Sequence, residues 1–263
     1  MELFDSHAHY NDEKFDIDRF DLIKYIYKEG NVTKITNVGY NLESSKKAIE
    51  IAKKIEYIYA TIGVSPNDIP DTIEKWNKQI IELEDILKNG IKENKIVAIG
   101  EIGLDYYWNK NNKELQKDIF ISQIILANTY NLPIVIHTRE AVNDTIDILK
   151  NKVNVNKKGI FHCCPQNKEL IKQALDLGFY ISFAGPITFK NSKNAEEVCK
   201  MVPLDKLLIE TDSPYLTPEP NRGERNNSSN IKYIAKKIAD FKGVTMEEIA
   251  RITYENASHI YSV

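Results

Sequence analysis

The feature that most constrains this chain is an alternation. Short apolar runs recur at Leu3–Asp5, Val32–Val38, Tyr57–Val64, Ile96–Gly100, Pro133–Ile136, Gly159–Phe161, Phe179–Phe183 and Leu207–Ile209, and nearly all are followed by a longer stretch with helical spacing. In Asp16–Glu29, for example, Ile17, Phe20, Ile23, Ile26 and Tyr27 recur at a helical period, and Gly30 stands where a C′ glycine ends a helix. Further helices are predicted over Leu42–Ile55, Ile73–Leu87, Glu114–Tyr130, Ala141–Leu149, Lys168–Leu177, Ala195–Met201, Ile231–Ala239 and Met246–His259. Asn151–Lys158 is polar and basic and reads as a solvated loop. Ile96–Gly100 is continuously apolar, as a strand covered on both faces must be. Sequential βα units of this number predict an α/β fold, a (β/α)8 TIM barrel forming a single domain over residues 1–263 with an extra C-terminal helix. An open doubly wound sheet is the alternative, but no Gly-x-Gly-x-x-Gly follows the first run.

Composition adds bounds. The 263 residues exceed the ~150 of an average domain but suit a barrel of ~250, and 42% hydrophobic residues can fill one large core. A net charge of -3 implies no global pull toward nucleic acid. The N-terminus lacks the basic and apolar regions of a signal peptide, and no apolar run approaches ~18 residues. Three cysteines, Cys163, Cys164 and Cys199, make no disulfide framework. The expectation is a cytoplasmic protein with no membrane span and no obligate protein partner.

In a (β/α)8 barrel, chemistry sits where strands end. Asp5-Ser6-His7-Ala8-His9 closes the first run, and residues two apart in extended chain point the same way, so His7 and His9 can aim two imidazoles at one point. Run four ends in Glu101, with Gly103 and Asp105 beyond it. Run five ends in His137, then Thr138 and Arg139. Run six gives His162, and run eight gives Glu210 and Asp212 before Ser213-Pro214. Four of the five histidines thus occupy strand ends. Any one of them alone would read as a buried structural histidine. Together with two carboxylates they predict metal ligation. His7, His9, His137, His162, Glu101 and Asp212 exceed the three protein ligands of a mononuclear catalytic zinc and suit two divalent ions bridged by a carboxylate, with Glu101 the candidate bridge. Glu210 reads either as a partner to a histidine or as an interior acid. The cysteines read as small buried apolar residues.

These residues resemble the TatD-like metal-dependent deoxyribonucleases of the amidohydrolase-type barrel superfamily, over essentially the whole chain. The resemblance is carried by Asp5–His9, Ile99–Tyr107, Pro133–Ala141, Phe161–Cys163, Ile181–Gly185, Glu210–Leu216 and Arg222–Asn226. It implies one or two divalent metal ions per chain (Mg, Mn or Zn) and hydrolysis of DNA phosphodiesters, with single-stranded ends as the expected substrate. It assigns His7 and His9 to one metal, His137 and His162 to the other, Glu101 to the bridge and Asp212 near the first metal. Two loops depart from the family pattern, Cys163–Asn167 and Arg225–Ser228, which puts substrate shape and a loop-anchoring acid in question.

On this reading Asp212 and Glu101 are the catalytic carboxylates, Asp212 taking the proton of the attacking water. Arg222 and Arg225 are candidate phosphate clamps, with ordinary surface ion pairs as the equal alternative. Arg139 is a candidate substrate contact or a brace for Glu140 or Glu101, and Lys190 a candidate phosphate contact. Tyr106, Tyr107 and Trp108 can stack a base, but packing is expected for two of the three. The competing activity is hydrolysis of a cyclic amide, a lactone or an aminoacyl-tRNA ester. The absence of a lysine on run four, where many cyclic-amide hydrolases carry a modified one, argues for the nuclease branch.

Overall fold

Apolar runs become strands because only a sheet satisfies their backbone polar groups while burying alternate or both faces. The computed structural model describes residues Met1–Val263. Its elements are β1 (Leu3–Ala8), α1 (Arg19–Glu29), β2 (Val32–Val38), α2 (Leu42–Lys54), β3 (Ile58–Ile62), α3 (Ile73–Lys88), β4 (Ile96–Asp105), α4 (Lys113–Thr129), β5 (Ile134–Arg139), α5 (Val142–Asp147), β6 (Ile160–Phe161), α6 (Lys168–Asp176), β7 (Tyr180–Phe183), α7 (Ala195–Met201), β8 (Leu207–Ile209), α8 (Ile231–Lys242) and α9 (Met246–Tyr261). The eight strands follow one another in the order β1 to β8, the expected (β/α)8 TIM barrel with its additional C-terminal helix. No helix is long and apolar enough to cross a membrane.

By internal packing the chain divides into two units, residues 1–37 with 162–263, and residues 38–161. In the first, β1 runs parallel to β2 (Leu3↔Val32, Ala8↔Asn37), and β7 runs parallel to β8 (Ser182↔Leu208). A bridge between Ala8 and Ser213 carries the pairing past the end of β8. α8 and α9 pack on this unit, burying Ile234, Ile238, Ile249 and Ile260. In the second unit, β3 pairs with β4, β4 with β5 and β5 with β6, all parallel.

Local sequence sets the helix ends. Asn41 and Ser44 form a reciprocal cap on α2, and Thr72, Asn167 and Thr245 each accept a backbone N–H at the starts of α3, α6 and α9. Gly243, at φ 68°, ends α8. Gly30 ends α1, as expected, at φ -88°, and the left-handed residue is Asn31 at φ 57°. A Cβ on Gly30 would lie 2.6 Å from the Ile26 carbonyl oxygen, so it also serves close packing. Two expectations are corrected. The expected loop at Asn151 begins with a wide helical turn over Ile148–Lys152. Finally, β4 does not stop at Gly100 but continues to Asp105, so Glu101 lies within the strand.

Candidate metal centre

In the first unit, β1 is buried along its length and places His7 and His9 on one side. Their Nε2 atoms lie 3.1 Å apart, with the rings nearly perpendicular. Asp212 Oδ1 is 3.2 Å from His9 Nε2 and 3.6 Å from His7 Nε2. Two ring nitrogens at that separation must share a proton or turn their lone pairs to a common cation. The donor set of two buried imidazoles and a half-buried carboxylate, convergent within 4.8 Å, fits a divalent metal. Burial pushes the Asp212 carboxyl up. The hydrogen bond from His9 and the charges of His9, His7 and His162 outweigh that and hold it below the usual range.

The backbone fixes this cluster. Asp212 is left-handed at φ 55°, its N–H donating to the His7 carbonyl at 2.9 Å, while the His9 N–H donates to the Ser213 carbonyl at 2.7 Å. Beneath it Asp5, fully buried, accepts from the Thr211 N–H and hydroxyl and from the Ser228 hydroxyl, tying β1 to both later segments. Burial pushes Asp5 up to about 7.

His162, 5% exposed, stacks on His7 at 4.0 Å between centroids. Its Nδ1 is 3.3 Å from Glu210 Oε1, which also accepts the Cys163 N–H at 2.7 Å. Of the two readings of Glu210, the histidine partner is the one observed. It leaves Nε2 of His162 as the ring nitrogen that could take a metal. Glu210 Oε2 is buried with no hydrogen-bond donor.

In the second unit, Glu101, Gly103 and Asp105 alternate on one face of β4, opposite β5. Gly103 pairs with His137 at φ 142°, and a Cβ there would sit 2.0 Å from the His137 carbonyl oxygen, so only glycine permits this approach. His137 Nδ1 lies 2.9 Å from Glu101 Oε1, and Nε2 lies 2.9 Å from Asp105 Oδ2. Asp105 Oδ1 accepts the N–H groups of Tyr107 (2.9 Å) and Trp108 (3.1 Å), and Asn67 donates to Oδ2. Burial pushes Asp105 up, but the bonds from His137 and Trp108 win and hold it low. The Gln116 side chain brackets the Asp105 backbone from both sides. Asp5, Asp105 and Gln116 were not singled out from the sequence. Two were visible as motif neighbours of ligands, and Gln116 carried no signal.

The proposed phosphate contacts are largely engaged elsewhere. Arg225 forms a forked pair with Asp18 and donates to the Lys14 carbonyl, the ordinary surface role. Arg222 lies over the Phe189 ring at 3.9 Å, and Lys190 is exposed. Arg139 braces neither glutamate but lies over Tyr107 at 3.8 Å and beside Trp108 at 5.5 Å. The expectation that two of the three aromatics pack is wrong. Only Tyr106 is buried, its hydroxyl donating to Asp144, while Tyr107 and Trp108 are 44% and 68% exposed. The reason is local: once Asp105 caps both following N–H groups, the chain turns outward at Tyr107.

The two departing loops are structured by their own residues. Cys164 is buried, and burial pushes its thiol far up, as an inert apolar residue requires. Gln166 donates to the Pro186 carbonyl and to Ser192. Asn227 accepts the Ser229 N–H, and Ser228 reaches Asp5.

Known proteins resemble the chain over nearly its whole length. The model of the family described as TatD related DNase matches residues 4–262. A Bacillus subtilis protein named uncharacterized metal-dependent hydrolase YabD is 44% identical over 264 residues, 99% of each chain. An Escherichia coli protein named uncharacterized metal-dependent hydrolase YcfH is 40% identical over 182 residues, 69% of this chain and 68% of that one. Among solved structures, the Escherichia coli TatD homolog YjjV superposes with a TM-score of 0.90 at 23% identity over 99% of this chain and 98% of that one, a likeness of fold. A TatD family hydrolase from Entamoeba histolytica does so with 0.86 at 26% identity, over 99% and 98%.

Proposed function

The chain belongs to the TatD-related DNase family, and on that footing we propose that it is a divalent-metal-dependent phosphodiesterase acting, as one domain over residues 1–263, on single-stranded DNA ends. The observation that carries this reading is the convergence of the His7, His9 and Asp212 donor atoms, the two imidazoles buried and the carboxylate half-buried. His162 with its Glu210 partner, and His137 between Glu101 and Asp105, supply the remaining ligand-type side chains. The residues proposed to hold metal are His7, His9, His162 and Asp212 in one unit and Glu101 and His137 in the other.

A bound divalent ion would supply Lewis-acid chemistry, acidifying water and neutralising phosphoryl oxygens. The chain's own residues do the rest. Asp212, its carboxyl held low beside His9 and His7, would take the proton of the attacking water. Glu210 and Asp105 each hold one nitrogen of a histidine ring, fixing tautomer and orientation so that the other nitrogen serves as ligand. Asp5 keeps the Asp212 segment on β1. The competing amide or ester activity lacks a distinguishing observation.

The test is hydrolysis of a single-stranded oligonucleotide by metal-stripped protein resupplied with Mg, Mn or Zn, beside a cyclic amide and an aminoacyl-tRNA. Metal-dependent release of nucleotides with no turnover of the other two supports the reading. Turnover of the amide or the aminoacyl ester alone contradicts it.

A further inference from the structure

We propose that Tyr107, Trp108 and Arg139 form a nucleobase-stacking subsite for single-stranded DNA, joined to the metal-binding histidine through Asp105. The proposal rests on the nuclease reading above and adds a substrate contact to it. Trp108 exposes 68% of its surface and Tyr107 44%, where burying either ring would have been favourable. Their rings meet edge to face at 4.8 Å, and the Arg139 guanidinium carbon lies 3.8 Å from the Tyr107 ring centre. An exposed indole, a phenol and a planar cation are the groups that hold unpaired bases and the adjacent phosphates without reading sequence. A cleft of about 390 Å³ opens beside Trp108, lined also by Asn67 and Asn109, whose amides can meet base edges.

The connection to the site is short. One oxygen of Asp105 accepts the backbone N–H groups of Tyr107 and Trp108, and the other meets Nε2 of His137. Arg139 lies two residues after His137 on β5, and its carbonyl accepts the Tyr106 N–H. A base seated on Trp108 is therefore referenced to the same carboxylate that orients His137. A duplex offers no free base face there, so the subsite selects unpaired ends.

Trp76 and Trp108 are the two tryptophans, and Trp76 is buried, so a fluorescence change on adding DNA that disappears in Trp108→Phe reports Trp108. The experiment titrates the full chain with oligothymidylate in chelator and follows fluorescence. It then compares wild type, Trp108→Phe and Trp108→Ala on a single-stranded oligonucleotide, and wild type on an abasic strand of the same length, which has no base to stack. The expected results are quenching lost in Trp108→Phe, an oligonucleotide KM raised about tenfold or more in Trp108→Ala and recovered in Trp108→Phe, and a wild-type KM raised likewise on the abasic strand. Absence of quenching, or an unaltered oligonucleotide KM in Trp108→Ala, overturns the subsite. Quenching without cleavage by wild type upholds it and overturns the nuclease reading instead.

Discussion

Asp105 Oδ2 lies 2.9 Å from Nε2 of His137, and the other oxygen of the same carboxylate caps the backbone of Tyr107 and Trp108. One buried acid thus orients an imidazole and shapes the loop beside it. Asp105→Asn keeps the size but offers an amide to a ring N–H that needs an acceptor. Metal affinity should fall about 10- to 100-fold with little change in fold. Competition against a fluorescent chelator measures this, with circular dichroism as the control.

Glu210 makes the equivalent prediction in the other unit. Its Oε1 serves both His162 and the Cys163 N–H. Glu210→Ala should leave that N–H without its acceptor and cost about 1–3 kcal/mol in urea unfolding, besides weakening metal binding. Unchanged stability would mean that the Cys163 backbone bond contributes nothing.

Arg225 tests the phosphate-clamp idea. Its forked pair with Asp18 is partly exposed, 37% and 41%, so Arg225→Ala should cost no more than roughly 0–1 kcal/mol and leave KM for DNA unchanged. The Arg225 hydrogen bond holds the Asp18 carboxyl below its usual range. A lowered folded-state pKa stabilises above the unfolded carboxylate value of about 4, and that contribution is lost as pH falls through the lower folded value. Wild type and Arg225→Ala should therefore converge in stability in acid. A raised KM would restore Arg225 as a substrate contact.

Asn226 is the strongest loop anchor. Buried, it donates to the Thr211 and Tyr215 carbonyls and accepts from the Asn227 N–H and the Asn230 amide. Asn226→Ala should cost about 2–4 kcal/mol, since several buried partners lose their bonds at once. Thermal unfolding of Asn226→Ala beside Arg225→Ala checks the ranking.

The strands and the candidate ligands were legible in the sequence for a common reason. Apolar runs and chemically distinctive side chains such as His7, His137 and Asp212 leave a local signature. It did not reveal that β4 runs on through Glu101 to Asp105, because the apolar run stops at Gly100 and only the close approach of His137 explains Gly103. Partner choice was equally hidden. Whether Arg225 meets phosphate or Asp18, and whether Trp108 packs or stands free, depends on residues distant in sequence or on backbone caps that composition does not encode.

The most direct measurement is cleavage of a single-stranded oligonucleotide by metal-stripped protein titrated with Mn, run beside His7→Ala and His137→Ala. Activity should appear only with metal and fall at least a hundredfold in both variants, though the two histidines stand 130 residues apart in the chain. Equal cleavage in chelator, or by either variant, would contradict the metal centre.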